Sequence, residues 1–248
     1  MLNNEVVDVL TLTEWLSSIK IIMLRSKCPR ISMSITIFLA DDHNVVREGV
    51  RLLLETQPDF KVIGETANGR EAVRQMNQHC PDVAILDIAM PELNGVEATR
   101  QLRQVCPATQ VIILSMHASS VHIFQALQAG ARGYLLKAAA GSELIHAVRA
   151  VQAGQRYLSQ KIIETVLDDL SQPETAQARD PVARLTPRER EILQLVAEGK
   201  SSAEIAAILS LAIGTVDTYR SRLMQKLGIT DLAGLIKFAI QHGLISLE

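Results

Sequence analysis

The sequence contains no apolar run of the roughly 18 residues that a membrane-spanning helix requires. The N-terminus also lacks the basic start and the small-residue cleavage site of a secretory signal peptide. We therefore expect a cytoplasmic protein with no membrane partner. Residues 1–33 differ in character from the sequence that follows. We expect an over-extended translation start or a poorly ordered leader there, rather than an added docking helix.

The sequence is also poor in cysteine and in net charge. Cys28, Cys80 and Cys106 are scattered and odd in number, so they indicate neither a metal site nor a disulfide framework, which fits a reducing cytosol. The formal net charge of -2 gives no overall attraction to nucleic acid. A small DNA-binding module with a local basic patch remains compatible with this charge. The length of 248 residues indicates one or two domains.

The stretch from Val83 to Gly95 is the most informative motif. Four apolar residues lead directly into Asp87, and a Met-Pro turn and Gly95 follow. A carboxylate inside an apolar strand would cost several kcal/mol unless it were paired. We therefore expect Asp87 at the carboxyl edge of a sheet, where open α/β sheets bind their ligands.

The hydrophobic pattern before and after this motif alternates between strands and helices. It predicts strands at residues 35–40, 60–64, 83–87, 111–115 and 133–136. It predicts helices at residues 45–55, 69–76, 95–105, 121–129 and 143–153. Such alternation is typical of an α/β fold, here a doubly wound, five-stranded parallel sheet with helices on both faces and right-handed crossovers.

Five polar residues stand at the predicted carboxyl ends of these strands, namely Asp41, Asp42, Asp87, Ser115 and Lys137. Three carboxylates at one edge would repel one another unless a cation lay among them, and oxygen ligands favour Mg²⁺. Asp87 is then a nucleophile for a phosphoryl group, with the metal and Lys137 offsetting charge and Ser115 donating a hydrogen bond. The product would be an aspartyl phosphate.

Four segments resemble the receiver domain of bacterial two-component response regulators. They are Leu39-Ala-Asp-Asp-His43, Leu86-Asp-Ile-Ala-Met-Pro91, Leu114-Ser115 and Gly133-Tyr-Leu-Leu-Lys137. Receiver domains have the flavodoxin-like, doubly wound fold. One departure is visible, because Ala138-Ala-Ala140 follows the lysine where an acidic residue or a proline is frequent.

The resemblance implies a role for each matching residue. Asp87 would accept a phosphoryl group from a sensor histidine kinase, and Asp41, Asp42, Asp87 and the backbone carbonyl of Ala89 would hold Mg²⁺. Ser115 and Tyr134 match the switch residues of the family. Phosphorylation would draw Ser115 toward Asp87, and Tyr134 would then turn inward.

A second domain follows a polar segment that contains Pro173 and Pro181. We place the first domain at residues 34–155, a helix and linker at 156–183 and the second domain at 184–248. Thr186 is a predicted cap with Pro187 at the first helical position. Helices are also predicted at residues 202–209, 215–227 and 232–242, a pattern typical of an all-α helix-turn-helix domain.

Charge alone does not establish that this domain binds DNA. Eight basic and seven acidic residues follow from position 184 onward, so a helical protein-interaction bundle stays an alternative. However, Leu185-Thr-Pro-Arg-Glu-Arg-Glu191, Glu198-Gly-Lys200, Thr215-Val216 and Lys226-Leu-Gly228 resemble the LuxR-type DNA-binding domain. A receiver joined to this domain is the architecture of the NarL/FixJ family of transcription regulators.

The predicted recognition helix supplies the candidate DNA contacts. We assign Arg220, Arg222 and Lys226 to phosphates, and Thr215, Val216 and Thr218 to base edges. Asp217 departs from the basic residue that is common in the family, and Ala212 stands where a serine often caps the helix. A homodimer on inverted-repeat DNA is expected, formed through the last helix or through the receiver. RNA polymerase is a further candidate partner.

Two other functions compete with a phosphorylation-switched regulator. An Asp-nucleophile phosphohydrolase would use a second acid two residues after the nucleophile, but Ala89 stands there, so we do not expect an enzyme. A receiver that signals by protein or ligand binding without phosphorylation is the other alternative. The complete set of acidic residues argues against it.

Overall fold

The computed structural model describes residues 34–116, 118–170 and 181–245. The expected leader at residues 1–33 therefore lies outside the described residues, and so do residues 171–180 of the predicted helix and linker. Among the described helices, none combines the length and the apolar character needed to cross a bilayer.

The first domain is built on a parallel sheet of six strands. The strands are β1 (Ile35–Ala40), β2 (Phe60–Thr66), β3 (Val83–Asp87), β4 (Gln110–Ser115), β5 (Gly133–Leu136) and β6 (Tyr157–Leu158). Their order is β2-β1-β3-β4-β5-β6. The doubly wound parallel sheet is thus confirmed, and β6 is an addition at its edge. Two residues have no hydrophobic period, so the sequence did not indicate β6.

Six helices cover the two faces of this sheet. They are α1 (Asn44–Glu55), α2 (Gly69–His79), α3 (Gly95–Val105), α4 (Ser120–Ala129), α5 (Ala140–Gln152) and α6 (Gln160–Leu170). Alternate strand residues point to opposite faces, so Ala84 and Leu86 pack with α2, α3, α4 and α6, whereas Val83 and Ile85 pack with α1 and α5. Ile162 of α6 is fully buried in the first of these cores. Packing with the sheet therefore continues past the predicted boundary at residue 155.

The start of α5 differs from the prediction. A short 3₁₀ turn at Lys137–Ala139 leads directly into the helix at Ala140, rather than at residue 143, and the backbone at Gly141 is not helical. The kink explains the difference, because the hydrophobic pattern reports only the regular part that follows it.

The second domain contains four helices after a 3₁₀ turn at Pro181–Arg184. They are α7 (Pro187–Ala197), α8 (Ser202–Leu209), α9 (Ile213–Leu227) and α10 (Leu232–Gln241). The predicted cap of α7 is confirmed, since Thr186 and Glu189 form a capping box with Pro187 in the first turn. The predicted start of α9 at Thr215 is wrong. This helix begins at Ile213 after Ala212, which has no side chain to cap it.

Cys80 and Cys106 are joined by a disulfide bond, with their Cα atoms 5.5 Å apart. No disulfide was predicted from the positions of the cysteines, so this bond is an addition to the prediction. Cys80 caps the C-terminus of α2, and Cys106 caps the C-terminus of the neighbouring α3. Spacing along the chain does not show that two helices end side by side, so this bond could not be predicted from the sequence.

Candidate functional site

The carboxyl ends of four strands bring the predicted pocket residues together. Asp87 and Ser115 are the last residues of β3 and β4, whereas Asp41 and Lys137 directly follow β1 and β5. Because these strands are neighbours in the sheet and run parallel, their ends meet at one edge. The apolar residues before each end fill the two faces of the sheet, which leaves the polar residues at the edge.

Lys137 lies at the centre of the ion pairs in this pocket. Its Nζ is 2.9 Å from Asp41 Oδ2 and 2.9 Å from Asp87 Oδ2, and it donates to Asp41 Oδ1 at 3.0 Å. The side chains of all three residues are at most 6% exposed. Removing one member of such a buried set leaves an uncompensated charge, so each side chain depends on the others.

Burial and the neighbouring acids shift the ionisation of this pocket. Burial, and then the Asp41 carboxylate, raise the pKa of Asp87 to about 7, and Lys137 opposes them. Burial acts to lower the pKa of Lys137, but the charges and hydrogen bonds of Asp87 and Asp41 outweigh it and raise this pKa. Lys137 therefore stays protonated, and a further cation would favour the ionised form of Asp87.

The acidic cluster has the composition of a divalent cation site. One ligand atom from each of Asp41, Asp42, His43 and Asp87 lies within 4.8 Å of the others. Asp41 Oδ2, Asp42 Oδ1 and Asp87 Oδ2 are buried, and their close partners are the Lys137 ammonium and the His43 ring. Three carboxylates and the Lys137 ammonium leave two excess negative charges. The residues present therefore fit Mg²⁺, which prefers oxygen ligands.

His43 is a close neighbour of this cluster, and no ligand role was predicted for it. Its Nδ1 lies 2.7 Å from Asp42 Oδ1 and 3.4 Å from Asp41 Oδ1, with 46% of the side chain exposed. Imidazole is a poor ligand for Mg²⁺. The adjacency of the three residues in sequence is the signal that could have indicated this contact.

The loop between β3 and α3 returns at once to the end of β3. The amide of Gly95 donates to the Ile88 carbonyl, and a Cβ atom on Gly95 would lie 2.2 Å from the carbonyl oxygen of Asp87. Only glycine fits this approach, so Gly95 fixes the path of the loop. Ala89 lies on this loop, two residues after Asp87, and its role as a carbonyl ligand stays a prediction.

Ser115 and Tyr134 are fully buried, and the tyrosine hydroxyl is hydrogen-bonded to Ser115. Burial raises the pKa of Tyr134 to about 12, so its hydroxyl stays protonated. The inward position that we expected Tyr134 to reach on phosphorylation is thus already occupied. The conformation described shows only this inward position, so the roles of Ser115 and Tyr134 as switch residues stay a prediction.

Comparison with known proteins identifies the families to which the two domains are similar. The family model described as response regulator receiver domain matches residues 37–149, and the model described as bacterial regulatory proteins, luxR family, matches residues 183–239. The response regulator UvrY of Escherichia coli (strain K12) is 37% identical over 214 residues, which cover 86% of this chain and 97% of UvrY. The chain belongs to the NarL/FixJ family of response regulators.

Other relatives of this response regulator agree over both domains. The oxygen regulatory protein NreC of Staphylococcus carnosus (strain TM300) is 36% identical over 213 residues, covering 84% of this chain and 98% of NreC. Among solved structures, the response regulator RcsB in complex with DNA is 26% identical with a TM-score of 0.52, covering 83% of this chain and 97% of RcsB. The family consists of DNA-binding transcription regulators rather than enzymes.

In this response regulator the predicted base-reading residues of α9 separate into two groups. Thr215 and Thr218 are exposed. Val216 is fully buried in the core of the DNA-binding domain. The assignment of Val216 to a base edge is therefore wrong. Its apolar side chain packs inward because the helix needs this position for its core stripe.

The predicted phosphate-binding residues of α9 also differ from one another. Arg222 is exposed, whereas Arg220 is half-buried and donates to Ser202 Oγ at 2.9 Å. Ser202 in turn donates to Asp217 Oδ1 at 2.7 Å. Lys226 Nζ donates to Glu189 Oε2 at 2.8 Å. Asp217 and Arg220 thus join α8 to α9, and Arg222 has the most accessible charge of the three predicted bases.

The first helix of the DNA-binding domain, α7, is buried against the receiver domain. Arg190 contacts Glu97 of α3 in a buried ion pair. Glu191 accepts from Gln101 of α3 at 2.8 Å and from Arg70 of α2 at 3.3 Å. Arg190 and Glu191 belong to the motif that resembles the LuxR-type domain, but no contact with the receiver was predicted for them. Their spacing on the side of α7 opposite its core stripe is the signal that could have identified a second contact face.

The same face of α7 contacts the loop that follows Asp87. Gln194 is fully buried and makes two hydrogen bonds to the main chain of this loop. Glu198, at the end of α7, accepts a third from the amide of Glu92. Burial raises the pKa of Glu198, against the opposing hydrogen bonds of Gln194 and the Glu92 amide. No role was predicted for either residue, because a contact with the main chain of a distant loop leaves no pattern in the sequence.

Proposed function

We propose that Asp87 is the phosphorylation site of this response regulator and that a sensor histidine kinase supplies the phosphoryl group. A carboxylate oxygen of Asp87 would attack the phosphorus of a phosphohistidine, forming the P–O bond as the P–N bond breaks. The imidazole that leaves would take up a proton. The single observation that carries this proposal is Lys137 Nζ at 2.9 Å from Asp87 Oδ2. An ammonium at this position offsets the charge on the phosphoryl oxygens.

Asp41, Asp42, Asp87 and the carbonyl of Ala89 would hold Mg²⁺ in this pocket. When bound, the ion would neutralise negative charge on the phosphoryl group. Ser115 at the end of β4 would donate its hydroxyl to a phosphoryl oxygen, exchanging its hydrogen bond with Tyr134 for this new one. Three buried carboxylate oxygens with a single ammonium among them support the metal assignment.

The DNA-binding domain would read its target through the exposed side of α9. Thr215 and Thr218 would face base edges, and Arg222 would contact a phosphate. Binding to DNA as a homodimer is supported by the solved structure of two RcsB dimers bound to two parallel DNAs, and an inverted repeat would match the twofold symmetry of such a dimer. A regulator of this kind, which meets both a kinase and the chromosome, works in the cytoplasm.

Phosphorylation would act on the pairing of two copies rather than on access to α9. The docked form buries α7, but leaves Thr215, Thr218 and Arg222 exposed. Holding α7 on the receiver fixes the position of the DNA-binding domain, whereas an inverted repeat requires two such domains in a twofold arrangement. Release of α7 would free each domain to adopt it.

Two experiments test this function. Incubation with acetyl phosphate and Mg²⁺ should add one phosphoryl group to the wild type, detected by intact mass, and none to Asp87→Asn. Genome-wide mapping of bound DNA should then show occupancy that differs between the wild type and Asp87→Asn. Equal occupancy would refute control by phosphorylation, and absence of labelling would refute Asp87 as the acceptor.

A further inference from the structure

The loop between β3 and α3, residues 88–94, has the phosphoacceptor pocket at one end and α7 against its main chain. It starts next to Asp87 and includes Ala89, the proposed carbonyl ligand. Its main chain turns sharply, with Glu92 in the left-handed region at φ 65°, and Gly95 then closes against the Asp87 carbonyl. A movement of the main chain at Asp87 or Ala89 therefore displaces the rest of this short loop.

Two side chains of α7 hold the main chain of this loop, and we name them the loop clasp. Gln194 donates from Nε2 to the Met90 carbonyl at 2.9 Å, and its Oε1 accepts from the Asn94 amide at 2.8 Å. Glu198 Oε1 accepts from the Glu92 amide at 3.0 Å and from Gln194 Nε2 at 2.8 Å. The clasp therefore contacts three main-chain groups of the loop at once.

The loop clasp responds to the path of the main chain and not to side chains of the loop. Gln194, Met90 and Asn94 are all buried, so a shift of the loop would leave polar groups without partners and without water. Met90 directly follows Ala89, and the Ala89 carbonyl lies in the peptide plane that ends at Met90 Cα. A rotation of that carbonyl toward an ion therefore displaces the group that Gln194 holds.

Asn94 links the loop clasp to the start of α3 as well. Its side chain caps this helix by accepting from the Glu97 amide at 2.9 Å, while its own amide is held by Gln194. Glu97 in turn pairs with Arg190 of α7. The end of the loop is thus fixed on both sides, which concentrates any movement between Asp87 and Asn94.

We propose that the loop clasp couples the pocket to the DNA-binding domain, so that a cation or phosphoryl group in the pocket and α7 on the loop oppose each other. The proposal rests on the proposed function of the pocket. It names the residues that would transmit a change in the pocket to the DNA-binding domain. Coupling of this kind is reciprocal. A ligand that shifts the loop weakens the docking of α7, and loss of the clasp strengthens binding of the ligand by the same factor.

The direct test is the Mg²⁺ affinity of the unphosphorylated, full-length protein, measured by isothermal titration calorimetry. We expect Gln194→Ala to bind Mg²⁺ about tenfold more tightly than the wild type, a coupling of ordinary size between two sites. The matched control is Gln101→Ala, which removes a contact of α3 with Glu191 at the same domain interface but no contact with the loop. This control should leave the Mg²⁺ affinity unchanged.

Equal affinity in Gln194→Ala and the wild type would overturn the proposal, and so would an equal increase in both variants. Should Gln194→Ala fail to fold, as judged by circular dichroism, hydrogen exchange of the wild type provides the answer. Mg²⁺ with beryllium fluoride, a phosphoryl mimic, should speed amide exchange in α7 and at Glu92 and Asn94. Unchanged exchange there would reject the coupling.

Labelling with acetyl phosphate separates this inference from the function on which it rests. If the wild type and Gln194→Ala are both phosphorylated on Asp87 but bind Mg²⁺ equally, the loop clasp is wrong and the proposed function stands. If neither protein is phosphorylated, the proposed function is wrong, and the coupling fails with it.

Discussion

The ammonium of Lys137 lies 2.9 Å from a carboxylate oxygen of Asp87, and the two side chains are only 4% and 3% exposed. The pair joins the ends of β3 and β5 across the intervening β4. The same ammonium, the only one among the described residues of the pocket, also contacts Asp41. Lys137 therefore offsets the charge of both buried carboxylates.

We expect Lys137→Ala to lower the free energy of unfolding by about 3 kcal/mol, because Asp41 and Asp87 would lose their buried counterion. Mg²⁺ should restore part of this loss, since it would replace the missing positive charge. Urea unfolding with and without Mg²⁺ measures both effects. Lys61→Ala, at an exposed position on β2, is the control and should change neither quantity. A Lys137→Ala protein as stable as this control would contradict the expectation.

The disulfide between Cys80 and Cys106 predicts a stability that depends on reductant. Closing a loop between residues 26 positions apart should raise the free energy of unfolding by about 3 kcal/mol. Chemical unfolding of the wild type with and without reductant measures this difference, and Cys80→Ser should abolish it. Cys28→Ser is the control and should retain it. Alkylation of both Cys80 and Cys106 in the oxidised, folded protein would show that the bond does not form.

The pocket was largely predictable from the sequence, and the domain interface was not. Apolar runs that end in Asp41, Asp87 or Lys137 identify strand ends, and the parallel sheet then places these ends together. Gln194 gave no comparable signal, because its partners are main-chain groups of a distant loop. The buried state of Tyr134 was equally hidden, since a side-chain rotation depends on packing and leaves no pattern in the sequence.

The DNA-binding domain should lose stability in acid through Glu189. Burial acts to raise the pKa of Glu189, but hydrogen bonds from Lys226 and Thr186 outweigh it and hold this pKa below its usual value of 4.5. A carboxyl whose pKa is lowered by folding stabilises the fold above its unfolded pKa. That contribution is lost as the pH falls below about 4.5 and through the folded pKa.

Thermal unfolding at a series of pH values from 7 downward checks this prediction. Glu189→Gln should be less stable than the wild type near pH 7, because it lacks the charge that pairs with Lys226, and its deficit should shrink below about pH 4.5. Glu48→Gln, in the receiver domain, serves as the control because Glu48 is exposed on α1. A deficit of Glu189→Gln that stayed constant with pH would rule out the ion pair as the cause.

Arg222 and Arg220 should affect DNA binding in different ways, although both lie on α9. Arg222 is exposed, so Arg222→Ala should weaken binding about equally for all sequences and reduce the slope of log affinity against log salt by about 1, as expected for one lost phosphate contact. Its thermal stability should match that of the wild type. Arg220 donates to Ser202 and thereby holds α8 against α9, so Arg220→Ala should lower thermal stability as well.

Fluorescence anisotropy over a range of salt concentrations, with a DNA fragment recovered by genome-wide mapping, gives the salt dependence of DNA binding for both variants. Lys161→Ala on α6 removes a charge of the same sign far from α9 in the sequence and controls for net charge. An Arg222→Ala slope equal to that of this control would mean that Arg222 does not contact phosphate, and the DNA would then have to meet another face of the domain.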